Sequence, residues 1–304
     1  MSNSRQNVDG FAAGSMLLLC VIWGLQQIVI KWAAPDIAPV MQLAARSLIS
    51  ALLVMALMRW RGGHFAWRDG SLRPGLLAGG LFALEFLLVA EGLRFTSAAH
   101  MAVFLYTSPL FTALGLHYLV KAERLQWPQW LGIGLAFSGI VVAFWGGGDH
   151  ADRYPQGGLG DILGVLAGAA WGATTVVVRS SRLSEAPPTN TLLYQLLAAV
   201  CVMVPYAVMT GQFSQVSLTP VAWASLLFNG IIVSFASYLA WFWLLRKYLA
   251  SRLAVFSFMT PLFGVTFGVL LLDEPLALSF VLGAVLVLMG VVTVSLAGGR
   301  RSAS

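Results

Sequence analysis

Residues 23–31 read WGLQQIVIK, and 148 positions later residues 171–179 read WGATTVVVR, so Trp23 and Gly24 match Trp171 and Gly172 while Lys31 matches Arg179. A second pair of stretches keeps nearly the same spacing. AVFLYTSPLF from Ala102 and AVFSFMTPLF from Ala254 set Pro109 against Pro261, 152 positions apart. Glu123 then falls opposite Glu274, Gly132 opposite Gly283 and Gly139 opposite Gly290, each 151 positions apart. Three matched blocks in one order mark a duplication, with one copy in residues 1–150 and the other in residues 151–304.

The sequence around these blocks is apolar. Of 304 residues 59% are hydrophobic and 10% charged, with a mean hydropathy of +0.82, whereas a soluble domain carries roughly 25% charged residues. Too few charges are present to cover a water-facing surface, so lipid must solvate most of the chain. Apolar runs of about 20 residues fall at approximately 11–32, 38–58, 72–93, 98–119, 128–146, 157–179, 190–210, 219–244, 250–272 and 276–297. Membrane strands need only about ten residues of alternating pattern, so these ten spans are expected to be helices. The expected fold is an all-α polytopic membrane protein with no separate soluble domain. Five spans per copy is an odd number, so the second copy enters the membrane from the opposite side, as an inverted repeat. The first run is expected to remain as a helix, because its apolar part is longer than that of a cleaved leader and its start carries little positive charge. Cys20 and Cys201 sit inside apolar runs, and no disulfide is expected.

The net charge of +6 is carried by short segments between spans. Arg5, Arg59, Arg61, Arg68, Arg73, Lys121, Arg124, Arg179, Arg182, Arg246, Lys247, Arg252, Arg300 and Arg301 fall on one side, against Lys31, Arg94 and Arg153 on the other. Positive charge marks the cytoplasmic side, so both termini are expected inside. Such a distribution encodes topology and argues against a nucleic-acid partner. Arg46, the remaining basic residue, falls within a span.

Ten spans in a five-plus-five duplication, a Trp-Gly pair in the first helix of each half and a Pro in the fourth resemble the EamA-type exporters of the drug/metabolite transporter superfamily. The likeness covers nearly the whole chain, and within that family it is strongest to the bacterial aromatic amino-acid exporters of the YddG type. It implies a multi-pass protein of the bacterial inner membrane that exports amino acids, related metabolites or amphiphilic toxicants.

Candidate site residues come in matched faces. Trp23, Gln26 and Gln27 share one face of the first span, and Trp171, Thr174 and Thr175 repeat that spacing in the sixth. Phe82, Glu85 and Phe86 in the third are answered by Ser234, Ser237 and Tyr238 in the eighth, with Trp241 one turn on. Such faces either tie helices together or line a water-filled cavity; aromatic walls and cation-π faces would suit a substrate ammonium. His100, near the outer end of the fourth span, is a further candidate wall residue. Arg46 and Glu85 each lie eight residues from the outer end of their spans, about 12 Å deep at 1.5 Å per residue. They are expected to meet as an intramembrane ion pair, unless Glu85 takes a proton or the substrate ammonium. Pro109 and Pro261, mid-span in corresponding helices, are expected hinges. Gly164, Gly168 and Gly172, and Gly75 with Gly79, are expected to mark close helix packing.

No phosphate-binding loop is present and GLGDILG at Gly158 lacks the nucleotide-binding spacing, so a secondary transporter is expected. An intramembrane enzyme is disfavoured: there is no HExxH and no cluster of zinc ligands among four His and two Cys. Neither metal nor cofactor is expected, and no obligate protein partner is evident beside the small-molecule substrate and membrane lipid. Within transport, amphiphilic cations or nucleotide sugars are the alternative cargo.

Overall fold

The computed structural model describes residues 9–63, 70–119, 124–144, 152–214, 216–248, 253 and 256–299. Among these every regular element is helical, apart from one antiparallel bridge between Ile37 and Val216. Arg5, Arg68, Lys121, Arg252, Arg300 and Arg301 of the orientation count, with Glu123, Ala254 and Val255 of the repeat, lie outside the described residues.

Helix α1 (Gly10–Trp32) begins where Asp9 accepts the Ala12 N–H at 2.8 Å, and Tyr248 donates its hydroxyl to the other Asp9 oxygen at 2.9 Å. Helices α2 (Pro39–Trp60) and α8 (Pro188–Met209) open on prolines, whose fixed φ and missing N–H suit a first turn. Between them run α3 (Leu72–Gly92), α4 (Ala98–Leu105), α5 (Ser108–Leu119), α6 (Trp127–Phe144) and α7 (Gly157–Ser180). The chain continues through α9 (Pro220–Leu227), a π-helical stretch Phe228–Ser237, α10 (Tyr238–Lys247), α11 (Met259–Leu272) and α12 (Leu278–Gly299).

Two expected single spans are interrupted. The run 98–119 breaks at Tyr106 and Thr107, because the ring of Pro109 would collide with the carbonyl four residues earlier and offers no N–H to it. At the break the Thr107 hydroxyl donates to the Phe104 carbonyl at 2.6 Å. Pro261 likewise lies in the first turn of α11, just past a turn at Phe258, so both prolines follow breaks rather than bend continuous helices. The run 219–244 carries ten π-helical residues in its middle. There Ser50 donates to the Gly230 carbonyl at 2.7 Å, and a Cβ on Gly230 would stand 3.1 Å from the Ile49 side chain.

With α4–α5 and α9–π–α10 each taken as one run, seven helices are long and apolar enough to cross a membrane. Three shorter apolar helices, Trp127–Ala143, Met259–Leu272 and Leu278–Val294, accompany them among the described residues. Large apolar side chains such as Leu18, Leu52, Leu77, Ile162, Leu282 and Met289 face outward from the bundle, as they must when the solvent is hydrocarbon. This is a multi-pass membrane protein.

Packing crosses between the halves. α1 lies on α11, α3 on α7 and α8, α2 on α8 and the π-helical stretch, α4 and α5 on α7, and α6 on α12. The glycines show how tightly. A Cβ on Gly24 would come within 2.8 Å of Phe263 Cβ, and one on Gly172 within 2.7 Å of Phe111 Cβ. Each Trp-Gly helix is therefore seated against the Pro-Leu-Phe block of the other half. Along the antiparallel α6–α12 pair, Gly132 abuts the Gly290 carbonyl (2.8 Å to an added Cβ) and Gly139 the Gly283 carbonyl (2.6 Å). The expected small-residue stripes also pack closely: Gly164, Gly168 and Gly172 face α4 and α5, and Gly75 and Gly79 face Tyr194 on α8.

Candidate functional site

The matched faces meet inside the bundle. Trp23 on α1 donates its indole N–H to Ser237 Oγ at 2.9 Å and stands edge-on to Trp241, ring centroids 5.9 Å apart. The π-helical stretch ends at Ser237, and α10 begins with Tyr238 directly beyond it, so the placement of both residues depends on that stretch. On the other flank Trp171 of α7 stands edge-on to Tyr106 at 5.4 Å, and Tyr106 occupies the break between α4 and α5. Tyr106 was not anticipated from sequence; the proximity of Pro109 was its only mark. Trp23, Tyr106, Trp171, Tyr238 and Trp241 all keep some exposed surface although they lie within the bundle. Gln26 and Gln27 are buried. Thr174 and Thr175 donate to carbonyls of their own helix, Ala170 at 2.9 Å and Trp171 at 3.1 Å, so these hydroxyls do not tie helices together.

Helix α3 supplies Phe82, Glu85 and Phe86, all buried, with the two rings 4.7 Å apart. Arg46 of α2 is fully buried with its guanidinium 4.0 Å from the centre of the Phe86 ring. The expected ion pair between Arg46 and Glu85 is not formed: no such contact within 4.0 Å exists among the described residues. Neighbouring side chains on a helix project about 100° apart. With Phe86 beneath the guanidinium, Glu85 is turned aside. Among the described residues, Nε, Nη1 and Nη2 of Arg46 and Oε2 of Glu85 have no hydrogen-bond partner. Both charges remain within electrostatic reach of one another and of Tyr238, and Tyr106 lies within reach of Glu85 and Tyr238.

A second cluster closes the end of the bundle where α1 and α3 finish and α4, α7 and α12 start. Glu274 accepts the N–H groups of Ala98 (2.7 Å) and Ala99 (2.9 Å), Ser97 Oγ takes that of His100 (3.0 Å), and the Ser97 carbonyl takes that of Met101 (3.0 Å). Three orphan donors at the start of α4 are thereby satisfied, and the Met101 bond is the first regular one of the helix. Lys31 approaches Glu274 to 3.8 Å, donates to the Thr96 carbonyl and lies 4.2 Å over the Tyr154 ring. Asp161 of α7 accepts from Thr96 Oγ1 at 2.5 Å and meets His100 Nδ1 at 2.9 Å, while the His100 ring stacks on Phe280 at 3.7 Å. His100 thus belongs to this end cluster rather than to the aromatic wall. In the sequence Glu274 was visible only as a repeat match, and Asp161 had no mark at all.

Three comparisons with known proteins bear on this arrangement. The model of the EamA-like transporter family matches residues 10–145 and again residues 158–296. The chain is 28% identical over 283 residues to an uncharacterized transporter of Archaeoglobus fulgidus, covering 91% of this chain and 94% of that protein. It is 27% identical over 293 residues to a protein of Escherichia coli described as a probable amino-acid metabolite efflux pump, covering 93% of each. A solved crystal structure superimposes with a TM-score of 0.65 at 18% identity, over 95% of this chain and 99% of that one, which shows a shared fold.

Proposed function

From the premise that the chain belongs to the EamA-like transporter family, and is therefore a membrane transporter, we propose that it exports hydrophobic and aromatic amino acids from the bacterial cytoplasm by alternating access. The observation that carries the proposal is that Tyr238, on the flank of Trp23 and Trp241, and Tyr106, on the flank of Trp171, both lie within electrostatic reach of Glu85, and Tyr238 also of Arg46. Flat apolar walls around two opposite charges suit a small zwitterion with an apolar side chain. A diphosphate of a nucleotide sugar would demand several cations, where one arginine is present. Relatives in Escherichia coli and Salmonella typhimurium, each described as a probable amino-acid metabolite efflux pump, support the same substrate class, and the YddG-type aromatic range is part of it.

Architecture enters the proposal as well. Seven long and three shorter apolar helices make ten spans, with both termini cytoplasmic in the inner membrane, arranged as two inverted units of five. Shifting the Gly132–Gly290 contact by the repeat offset of 151 yields the Gly283–Gly139 contact, as a two-fold axis between α6 and α12 would require. The Gly24–Phe263 and Gly172–Phe111 contacts exchange in the same way.

Purified protein in liposomes loaded with radiolabelled phenylalanine tests the transport reading. The expected result is efflux above that of protein-free vesicles, competed by tryptophan and lost in Trp171→Ala. Absence of efflux, or preference for a nucleotide sugar or a quaternary ammonium drug, would remove the amino-acid assignment.

A further inference from the structure

A fully buried arginine without a protein acceptor is expensive. Guanidinium cannot shed its charge, and leaving a buried charge unpaired costs several kcal/mol. Here Nε, Nη1 and Nη2 have no acceptor among the described residues, while an acid lies one residue along α3 from the Phe86 ring and still does not pair. The Phe86 ring lies 4.0 Å from the guanidinium carbon and can satisfy the charge but accepts no ordinary hydrogen bond from the N–H fork. That fork is the part of arginine that matches a carboxylate with two parallel hydrogen bonds. Glu85 Oε2 is the complementary orphan, with no hydrogen-bond partner among the described residues. Two orphaned groups, one basic and one acidic, that lie within electrostatic reach but do not touch are what a ligand carrying both a carboxylate and an ammonium would complete.

We infer that Arg46 is the carboxylate anchor of the transport site and Glu85 its ammonium acceptor, so that the site selects α-amino acids in zwitterionic form over amines and amides of the same side chain. This rests on the substrate reading above and extends it, because it separates amino acids from amphiphilic cations, which have no carboxylate. Phe86 acts as the platform that keeps Arg46 from collapsing onto Glu85. In the ligand-free protein the unpaired guanidinium is a cost held in reserve for binding, so removing it does not harm the fold.

Ligand-induced thermal stabilisation of the purified protein tests this with three probes: phenylalanine, phenylalaninamide and 3-phenylpropionate. Wild type is expected to bind phenylalanine best, 3-phenylpropionate more weakly and phenylalaninamide at least about tenfold more weakly than phenylalanine. Arg46→Met should lose at least about tenfold in affinity for both carboxylates while its ligand-free Tm stays equal or rises. Glu85→Gln should keep 3-phenylpropionate binding and lose the advantage of phenylalanine over it. A lowered ligand-free Tm or failure to fold in Arg46→Met would overturn the inference, since the charge would then have a structural partner. So would equal binding of phenylalanine and its amide by wild type, or stabilisation by none of the probes. Arg46-dependent binding of carboxylates without phenylalanine flux in liposomes would remove the amino-acid export reading and leave the anchor standing. Flux of phenylalanine with equal competition by its amide would do the reverse.

Discussion

Replacing Glu274 by alanine removes the acceptor for two buried N–H groups at the start of α4, at 2.7 and 2.9 Å, from a side chain that is itself fully enclosed. A hydrogen bond to a charged acceptor contributes about 1.5–3 kcal/mol, so the pair represents about 3–6 kcal/mol before any relaxation. Ser97 cannot take over, because its hydroxyl and carbonyl already serve His100 and Met101. Lys31 adds little to the loss. It stands 3.8 Å from Glu274, is 17% exposed, and retains the Thr96 carbonyl and the Tyr154 ring. We expect a net loss of about 3–5 kcal/mol for Glu274→Ala. Glu274→Gln, which keeps one oxygen for one N–H, should lose about half of that, and Lys31→Met no more than about 1 kcal/mol. Thermal unfolding in detergent measures all three; chains of 150–250 residues shift by roughly 2–4 °C per kcal/mol, so the alanine variant should fall by about 10 °C. An alanine variant within about 1 kcal/mol of wild type would refute the capping argument, as would equal losses for Glu274→Ala and Lys31→Met.

At the opposite end of α1, the Ala12 N–H and then the Tyr248 hydroxyl hold the Asp9 carboxyl below its ordinary value of 3.8. A carboxyl depressed by folding stabilises above its unfolded value and loses that contribution as pH falls through the folded one. The Tm gap between wild type and Asp9→Asn should therefore be full at neutral pH and shrink on acidification below 3.8; an unchanged gap in acid would count against it. In α1, Gly24→Leu should cost about 3 kcal/mol or more by overpacking against Phe263, whereas Gly14→Ala, with nothing near an added Cβ, should be neutral or stabilise by up to about 1 kcal/mol. Equal behaviour of the two variants in yield and Tm would show that the Trp-Gly motif does not set the helix contact.

Apolar runs revealed the spans because lipid enforces unbroken hydrophobicity over each crossing. They could not reveal where a run breaks. AVFLYTSPLF is apolar throughout, and only Pro109 hinted at the interruption three residues before it. The π-helical stretch leaves no trace in sequence, since widening a turn changes the partner of each N–H and not the kind of residue. Trp23, Ser237 and Trp241 were legible as inward-facing residues because polar groups in a span must face inward. The failure of Arg46 to meet Glu85 was not legible. Equal depth in the membrane fixes height, while the rotation of α3 that puts Phe86 in the way comes from its packing on α7 and α8.

The seating of each Trp-Gly helix on the other half has a consequence for synthesis. α1 leaves the ribosome well before α11, yet Gly24 finds Phe263 only when α11 has been made, and Gly132 and Gly139 of α6 must wait for α12. α1 and α6 therefore cross the membrane with their small-residue grooves open to lipid until α11 and α12 arrive. A nascent chain stalled before α11 would present those grooves to any other helix in the bilayer, which makes the synthesis of α11 and α12 the interval in which mispairing or capture by a membrane chaperone is decided.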